Sequence, residues 1–402
     1  MNDVIDPHRR TLPPAPVPAT VEVMRRRLLP ALLLVLALAP LPARAQTPTR
    51  WLAADFPTNM AFAPDGRLFY LEKDTGQVRV VSAAGDLLPT PFATFDVGSL
   101  GETGLLGIAL DPGFDSGRPW VVLYLSDAVT GRNELLRVRA DGDVGTRVQV
   151  LQTFLPTAGI YHNGGDLLFA ADGDLYVTVG EAHDSGRAQD TNDVGGKVLR
   201  FTADGAPAPG NPFGPGNPVF TDGHRNSFGL CQDPGTGEIW ETENGPDVND
   251  EVNRLVAGAD YGWPVVTGDS GGRFQDPVAV FHDTVALTGC AWWHGALYVG
   301  SYNDGLVRRI DTTTGAATPV ASFPSGVTDL AVGPDGDLYV AAQDGIYRLT
   351  SASAAPGAPV IPATGHGASA RTWIAALAIV VLAFGLALRA WGGHRLRRAG
   401  RP

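Results

Sequence analysis

The sequence predicts an all-β chain, a six-bladed β-propeller followed by a single C-terminal hydrophobic helix. Three observations carry that expectation. A strand, a Gly-containing turn and a second strand recur through residues 59–350, often with a third strand behind them. Aromatic or β-branched residues occupy equivalent points of the second strand at Phe69, Val121, Tyr176, Ile239, Tyr298 and Tyr339, spaced by 41 to 63 residues. No helical-period run of useful length lies between Gln46 and Thr350. Six similar units of short antiparallel strands close radially, which hides strand edges without helices. A β-sandwich, or a pair of them, is the competing arrangement, but neither requires six units alike.

Taken in order, residues 1–45 read as an export signal region. Arg25 to Arg27 lead into the apolar run Leu28 to Leu41, and Ala43-Arg44-Ala45 supplies a small-residue cleavage site after Ala45. The Pro-rich residues before Met24 have no place in this pattern and point to a misplaced start codon. Residues 46–350 form the propeller, with its clearest units at Met60 to Val80, Tyr161 to Arg200 and Val327 to Leu349. Weaker relatives begin at Leu105, Ser227 and Thr288.

Residues 351–371 are small, Pro-rich and polar, which makes them a flexible linker. The apolar stretch 372–390 is expected to be a transmembrane anchor or sorting helix, with a buried or surface-lying helix as the alternative. The basic tail 391–402 would then be cytoplasmic, placing the propeller outside, on the periplasmic or cell-surface side. The membrane is an expected partner through this helix.

The chain carries a formal charge of −12. Residues 1–45 hold six basic and three acidic side chains and the residues after Gly365 six basic ones, so the part between carries −21. Such an acidic domain is unsuited to nucleic-acid phosphates and suited to a neutral ligand or a divalent cation. Cys231 and Cys290 align with Ala61, on the innermost strands of blades four and five. Export permits a disulfide between them; two buried free thiols are the equal alternative.

Three loops could carry chemistry. His162 opens YHNGG just before a strand, and Glu181 stands at the far end of the next one. An imidazole there can accept a proton while the carboxylate orients it; a hydrogen-bonding surface histidine would look the same. In TDGHRNSFGL, Arg225 and Asn226 offer fixed donors for an anionic or quinone oxygen, or merely bridge blade loops. In TENGPDVNDEVNRL, Glu243, Asp247, Asp250 and Glu251 surround Gly245-Pro246, a composition suited to calcium or to a solvated acidic loop. Walker, G-x-G-x-x-G and H-E-x-x-H motifs are missing, and the histidines lack zinc spacing.

Several blocks occur together in one order: GLLGIALDPGF from Gly104, HNGGDLLFAADGDLY from His162, AQDTNDVGGKVLR from Ala188, GHRNSFGL from Gly223, and ENGPDVNDEVN followed by YGWP at Tyr261. Together they resemble the glucose/sorbosone dehydrogenase family, the soluble pyrroloquinoline quinone (PQQ)-dependent sugar dehydrogenases. The likeness covers residues 56–350.

It implies a six-bladed propeller that oxidises an aldose at C1 to the lactone, with PQQ and calcium as cofactors. By that likeness His162 is the general base, Glu181 supports it, and Arg225 and Asn226 contact the quinone. The carbonyls of Gly245 and Pro246 would hold calcium as a Lewis acid. The electron acceptor is unidentified, and the oligomeric state leaves no mark.

The chain departs from the family at two places. Asn303, in SYNDG, stands where a pocket lysine is usual, and Gly326-Val327-Thr328-Asp329 replaces an Arg-x-Arg-Asp motif. PQQ is a tricarboxylate, so these losses weaken charge pairing at Asn303 and Thr328. Arg308, Arg309 and Arg348 are the nearest cations in sequence that could compensate. The family also includes Hedgehog-interacting-type propellers, which makes a noncatalytic extracytoplasmic ligand- or protein-binding propeller the alternative reading.

Overall fold

The computed structural model describes residues 48–156 and 160–350, which form six four-stranded antiparallel sheets. A first strand, β1 (Thr49–Ala53), precedes them. Blade one holds β2 (Pro57–Phe62), β3 (Leu68–Glu72), β4 (Gln77–Val81) and β5 (Ala93–Thr94). Blade two holds β6 (Leu105–Leu110), β7 (Trp120–Asp127), β8 (Arg132–Asp141) and β9 (Val144–Pro156). Blade three holds β10 (Leu167–Phe169), β11 (Leu175–Val179), β12 (Lys197–Phe201) and β13 (Val219–Thr221). Blade four holds β14 (Ser227–Gln232), β15 (Ile239–Glu243), β16 (Asp250–Arg254) and β17 (Ala279–Phe281). Blade five holds β18 (Leu287–Trp293), β19 (Ala296–Ser301), β20 (Leu306–Ile310) and β21 (Ala317–Ser322). Blade six holds β22 (Val327–Val332), β23 (Leu338–Ala342) and β24 (Gly345–Leu349), completed by β1.

That last pairing closes the ring. β1 runs antiparallel to β24, so the two ends of the domain share one sheet and neither leaves an open blade. The first strand of each blade packs against the first strands on both sides, from β2 through β22 and back to β2. The second strands are sandwiched between blades. Leu68–Glu72, Leu175–Val179 and Leu338–Ala342 are therefore buried along their whole length and read as continuous runs rather than alternating ones.

A separate apolar cluster fills each of the six blade junctions. Between blades one and two, for example, Phe69, Leu71, Val121 and Leu123 are fully buried, and each contributes about 1.5–3 kcal/mol by leaving water. Cys231 on β14 and Cys290 on β18 form a disulfide with Cα atoms 5.6 Å apart, stitching blade four to blade five inside their shared cluster.

The carboxyl-terminal helix is a correction to the expected fold class. Among the described residues no helix is long and apolar enough to cross a membrane, and the one helix present is the 3-10 turn Ser185–Gln189. The stretch 372–390, on which membrane partnership and anchored localisation rested, lies outside the described residues. The fold is thus an all-β six-bladed propeller, and the anchor is not carried further. Residues 1–45, the linker and the basic tail also lie outside the described residues.

Candidate active site

The mouth of the ring opens into a cavity of about 360 Å³, walled by loops from every blade. Phe56, Lys73, Glu102, Tyr161, Asn244 and Tyr302 are among its lining residues, with Asn59 and Thr288 from inner strands and Asp166 from just before β10. Phe56 and Tyr302 stack across the seam of the ring with centroids 6.3 Å apart.

His162 stands in the wall beside this cavity, in the loop leading to β10, with a left-handed φ of 60°. An L-residue holds that conformation only when its surroundings over-determine it. Here the His162 N–H donates to Glu102 Oε2 at 2.6 Å, and its carbonyl accepts from the Ala182 N–H at 3.2 Å. Gly165, three residues on, has φ 115°, and a Cβ there would lie 2.8 Å from the Tyr124 ring. The glycine is needed for that close approach.

The imidazole is fixed on two sides. Nδ1 lies 2.6 Å from Glu181 Oε1, and the His183 ring stacks on it with centroids 4.1 Å apart. Nε2 finds no partner among the described residues and is not sealed from solvent. With Nδ1–H donated to the carboxylate, the tautomer leaves the Nε2 lone pair free, the arrangement a general base requires.

Arg225 and Asn226 lie next to this pair, since the Glu181 N–H donates to the Arg225 carbonyl at 3.0 Å. The Arg225 guanidinium donates from Nη1 to the carbonyls of Asn244 and Gly245, both at 3.0 Å, and lies over the Trp263 ring. Asn226 is spent as a clip: Nδ2 donates to Glu102 Oε2 at 3.0 Å, and Oδ1 accepts from the Gly164 N–H at 3.2 Å. Gly245 sits in a tight turn, its N–H bound to Asp250 Oδ1 at 2.9 Å, and a Cβ there would run into the Val248 carbonyl. Pro246 and Asp247 are exposed beside it, whereas Glu243, Asp250 and Glu251 are buried.

Across the cavity, Asn303 is exposed at the rim, with Nδ2 donating to the Thr284 carbonyl. Thr328 lines the cavity, but its hydroxyl donates to the Pro57 carbonyl. The three arginines do not supply the missing charge. Arg308 pairs with Asp304, Arg348 pairs with Asp335 and Asp337, and neither these nor Arg309 line the cavity. Lys73, unremarked in the sequence reading, is the lysine that does; its Nζ pairs with Asp74 at 2.8 Å and lies over the Phe56 ring. Glu102 was also missed. It stands two residues ahead of the GLLGIALDPGF block, and one of its carboxylate oxygens binds both the His162 N–H and the Asn226 amide.

Asp166, which lines the cavity, lies near a second buried carboxylate, Asp329. Burial pushes Asp166 up to about 6, against hydrogen bonds from Leu230, Leu167 and Asn59 that hold it down. Burial and the neighbouring Asp166 raise Asp329 well above the ordinary aspartate range. A carboxyl raised on folding stabilises the protein below its unfolded value of 3.8, and that contribution is lost as pH climbs through about 6. Asp329→Asn keeps an acceptor for the Met60 N–H while removing the second charge. Relative to wild type, this variant should gain stability as pH rises from about 4.5 to about 7.5, measured by urea unfolding, because it lacks the carboxyl whose ionisation burial opposes. An unchanged difference across that range would show that Asp329 ionises in the folded protein as it does in the unfolded chain, and so is not raised by burial.

Comparison with known proteins agrees with this geometry. The family model described as glucose / sorbosone dehydrogenase matches residues 54–349. The chain belongs to the glucose/sorbosone dehydrogenase family. An aldose sugar dehydrogenase of Escherichia coli is 27% identical over 372 residues, covering 81% of this chain and 97% of that one. A quinoprotein glucose dehydrogenase of Acinetobacter calcoaceticus is 29% identical over 270 residues, covering 57% of this chain and 55% of its own. Among solved structures, the PQQ-bound aldose sugar dehydrogenase of Streptomyces coelicolor is 32% identical with a TM-score of 0.67, covering 76% of this chain and 98% of that one. Membership in this dehydrogenase family makes the protein an oxidoreductase.

The family implies two groups, a calcium ion and PQQ, and the residues present offer donors for each. The carbonyls of Asn244 and Gly245 already converge on a cationic guanidinium, and Asn244 Oδ1 is buried without a partner. These are hard oxygen donors at the cavity edge, which suit calcium. The cavity volume suits a planar tricyclic ligand, with Lys73 in its lining, while Arg225 lies outside that lining and is engaged by the Asn244 and Gly245 carbonyls. Both groups fit, although Glu102 and Asp166 put negative charge in the same cavity.

Proposed function

We propose that this protein oxidises an aldose at C1 to the lactone with PQQ and calcium, and that His162 is the base. The observation that carries this reading is the His162–Glu181 pair, 2.6 Å apart, in a segment whose Tyr161 and Gly164 line the cavity although His162 itself does not. Arg225, Lys73 and the rim residues Asn303 and Thr328 would hold the quinone; Gly245 and Pro246, with Asn244, would hold the metal. When bound, PQQ supplies the two-electron acceptor and calcium polarises its carbonyl.

The protein's own share is proton management. His162 Nε2 takes the C1 hydroxyl proton as the C1–H bond gives up its hydrogen and electron pair, so the carbon–oxygen double bond forms without a free alkoxide. Glu181 accepts the Nδ1–H and stabilises the imidazolium that results. Stacking on His183 stops the ring from turning away.

Equilibrium titration of the purified chain with PQQ in the presence of calcium tests the reading. The expected result is saturable binding and aldose-dependent reduction of an artificial electron acceptor. Failure to bind the quinone at all would move the assignment to a ligand- or protein-binding propeller.

A further inference from the structure

Blade four carries a second group of side chains that the proposed reaction does not use. Glu241 and Glu243 are alternate residues of β15, so they share one face of the sheet, and across the ladder they oppose Asn253 and Glu251 of β16. His224 faces them from the segment before β14. Among the described residues, His224, Glu241 and Glu243 alone form a cluster of this kind, all buried, with ligand atoms within 4.8 Å of one another.

The bonding of this cluster is incomplete. Glu243 gives one oxygen to the Arg225 N–H and the other to His224 Nδ1 at 2.8 Å. Glu241 receives Asn253 Nδ2 at 3.0 Å on Oε2, while its Oε1, 4.0 Å from His224 Nδ1, has no hydrogen-bond partner. Ser227 comes near Glu241 without the geometry of a hydrogen bond, and Asn253 Oδ1 is also buried and unpartnered. Glu241 is completely buried. A carboxylate oxygen in that state is costly unless something positive meets it.

No side-chain cation does so. The ion-pair contacts of Glu241 and Glu243 are with His224 alone. The buried Lys197 spends its three protons on the carbonyls of Arg187, Ala188 and Gly195, and the Arg225 guanidinium is engaged by two carbonyls. On the far side of the imidazole, His224 Nε2 lies 2.9 Å from Thr221 Oγ1. If Nε2 carries the proton, Nδ1 presents a lone pair to the two carboxylates.

We propose that His224 Nδ1, Glu241 Oε1 and Glu243 Oε2 form a buried site for a first-row divalent cation of the zinc or manganese(II) type, between blades three and four. One imidazole nitrogen with two carboxylate oxygens is a donor set for such ions rather than for calcium, which takes oxygen alone. The present separations from Nδ1, 2.8 and 4.0 Å, bracket the ligand-to-ligand spacing of about 3.3 Å that tetrahedral bonds near 2.0–2.1 Å require. Small rotations of the two glutamates suffice. Asn253 Oδ1 is an oxygen on the same strand pair available as a fourth ligand. Because Glu243 also holds the Arg225 N–H, the ion would fix the strand end to which the Arg225 segment is bound.

The test is metal analysis of the full chain after chelator treatment, reloading with zinc or manganese(II), and gel filtration into metal-free buffer with calcium present. The expected result is one equivalent of transition metal per chain in wild type and less than a tenth of that in Glu241→Gln, with calcium content the same in both. Manganese-loaded wild type should also show nitrogen hyperfine coupling from one imidazole, lost in His224→Gln. Wild type that retains less than a tenth of an equivalent, or Glu241→Gln that retains as much as wild type, overturns the proposal. Both readouts on wild type stand even if a variant does not fold, and neither depends on PQQ binding or turnover.

Discussion

His162→Ala should lower kcat by about 10²–10⁴-fold while leaving PQQ affinity within a few-fold of wild type. The imidazole is bound through Nδ1 to Glu181, so in the proposed reaction its other nitrogen would serve the substrate proton and not the quinone's carboxylates. Glu181→Gln is the sharper variant. An amide that turns its NH₂ toward Nδ1 forces the proton onto Nε2, which abolishes the base although the ring stays where His183 and the loop hold it. Its loss in kcat should therefore approach that of His162→Ala. Steady-state kinetics with saturating PQQ, beside a PQQ titration of each variant, separates the two effects. A His162→Ala protein with more than a tenth of wild-type kcat would remove His162 from the chemistry and leave the propeller with a different base.

The fold was legible because the blade repeats a local unit. Phe69, Val121, Tyr176, Ile239, Tyr298 and Tyr339 each fall on the second strand of a blade, where burial on both faces demands large apolar side chains. Three of the fourth strands were not legible: Ala93–Thr94, Val219–Thr221 and Ala279–Phe281 are two or three residues long, too short for any period to show. Nor was the closing strand. Thr49–Ala53 pairs with Gly345–Leu349 from the other end of the domain, and nothing local in TRWLA announces that partner.

The same distinction separates the site residues. His162 and Glu181 flank one hairpin, so β10 and β11 alone bring them together. Glu102 and Lys73 come from loops of blades two and one and meet the site only when the ring closes. In sequence each is one charge among many in an acidic chain. The compensating arginines fail for a physical reason as well: Arg308 and Arg348 already have carboxylate partners, and those pairs hold the side chains away from the cavity.

Replacing both Cys231 and Cys290 with alanine should cost about 4 kcal/mol of stability, the chain-entropy value for a loop of this span, 59 residues. The expected effect is large because of what the loop contains. Between the two cysteines lie the rest of β14, all of β15 to β17 and the start of β18, nearly the whole of blade four together with its junction to blade five. In the oxidised chain that blade is already tethered to its neighbour before any other part of the ring forms. Without the bond, two adjacent inner strands must find one another through the apolar packing of their junction, Trp240, Leu287, Leu297 and Val299 among it. Alanine is the fitting replacement, since both positions are 5% exposed and a serine hydroxyl would be buried among apolar side chains. Urea unfolding should show a lower midpoint for the double variant, with reduced wild type moving in the same direction. A loss below about 1 kcal/mol would mean that the junction is held by its apolar contacts, and that the unfolded chain keeps blades four and five together without the bond.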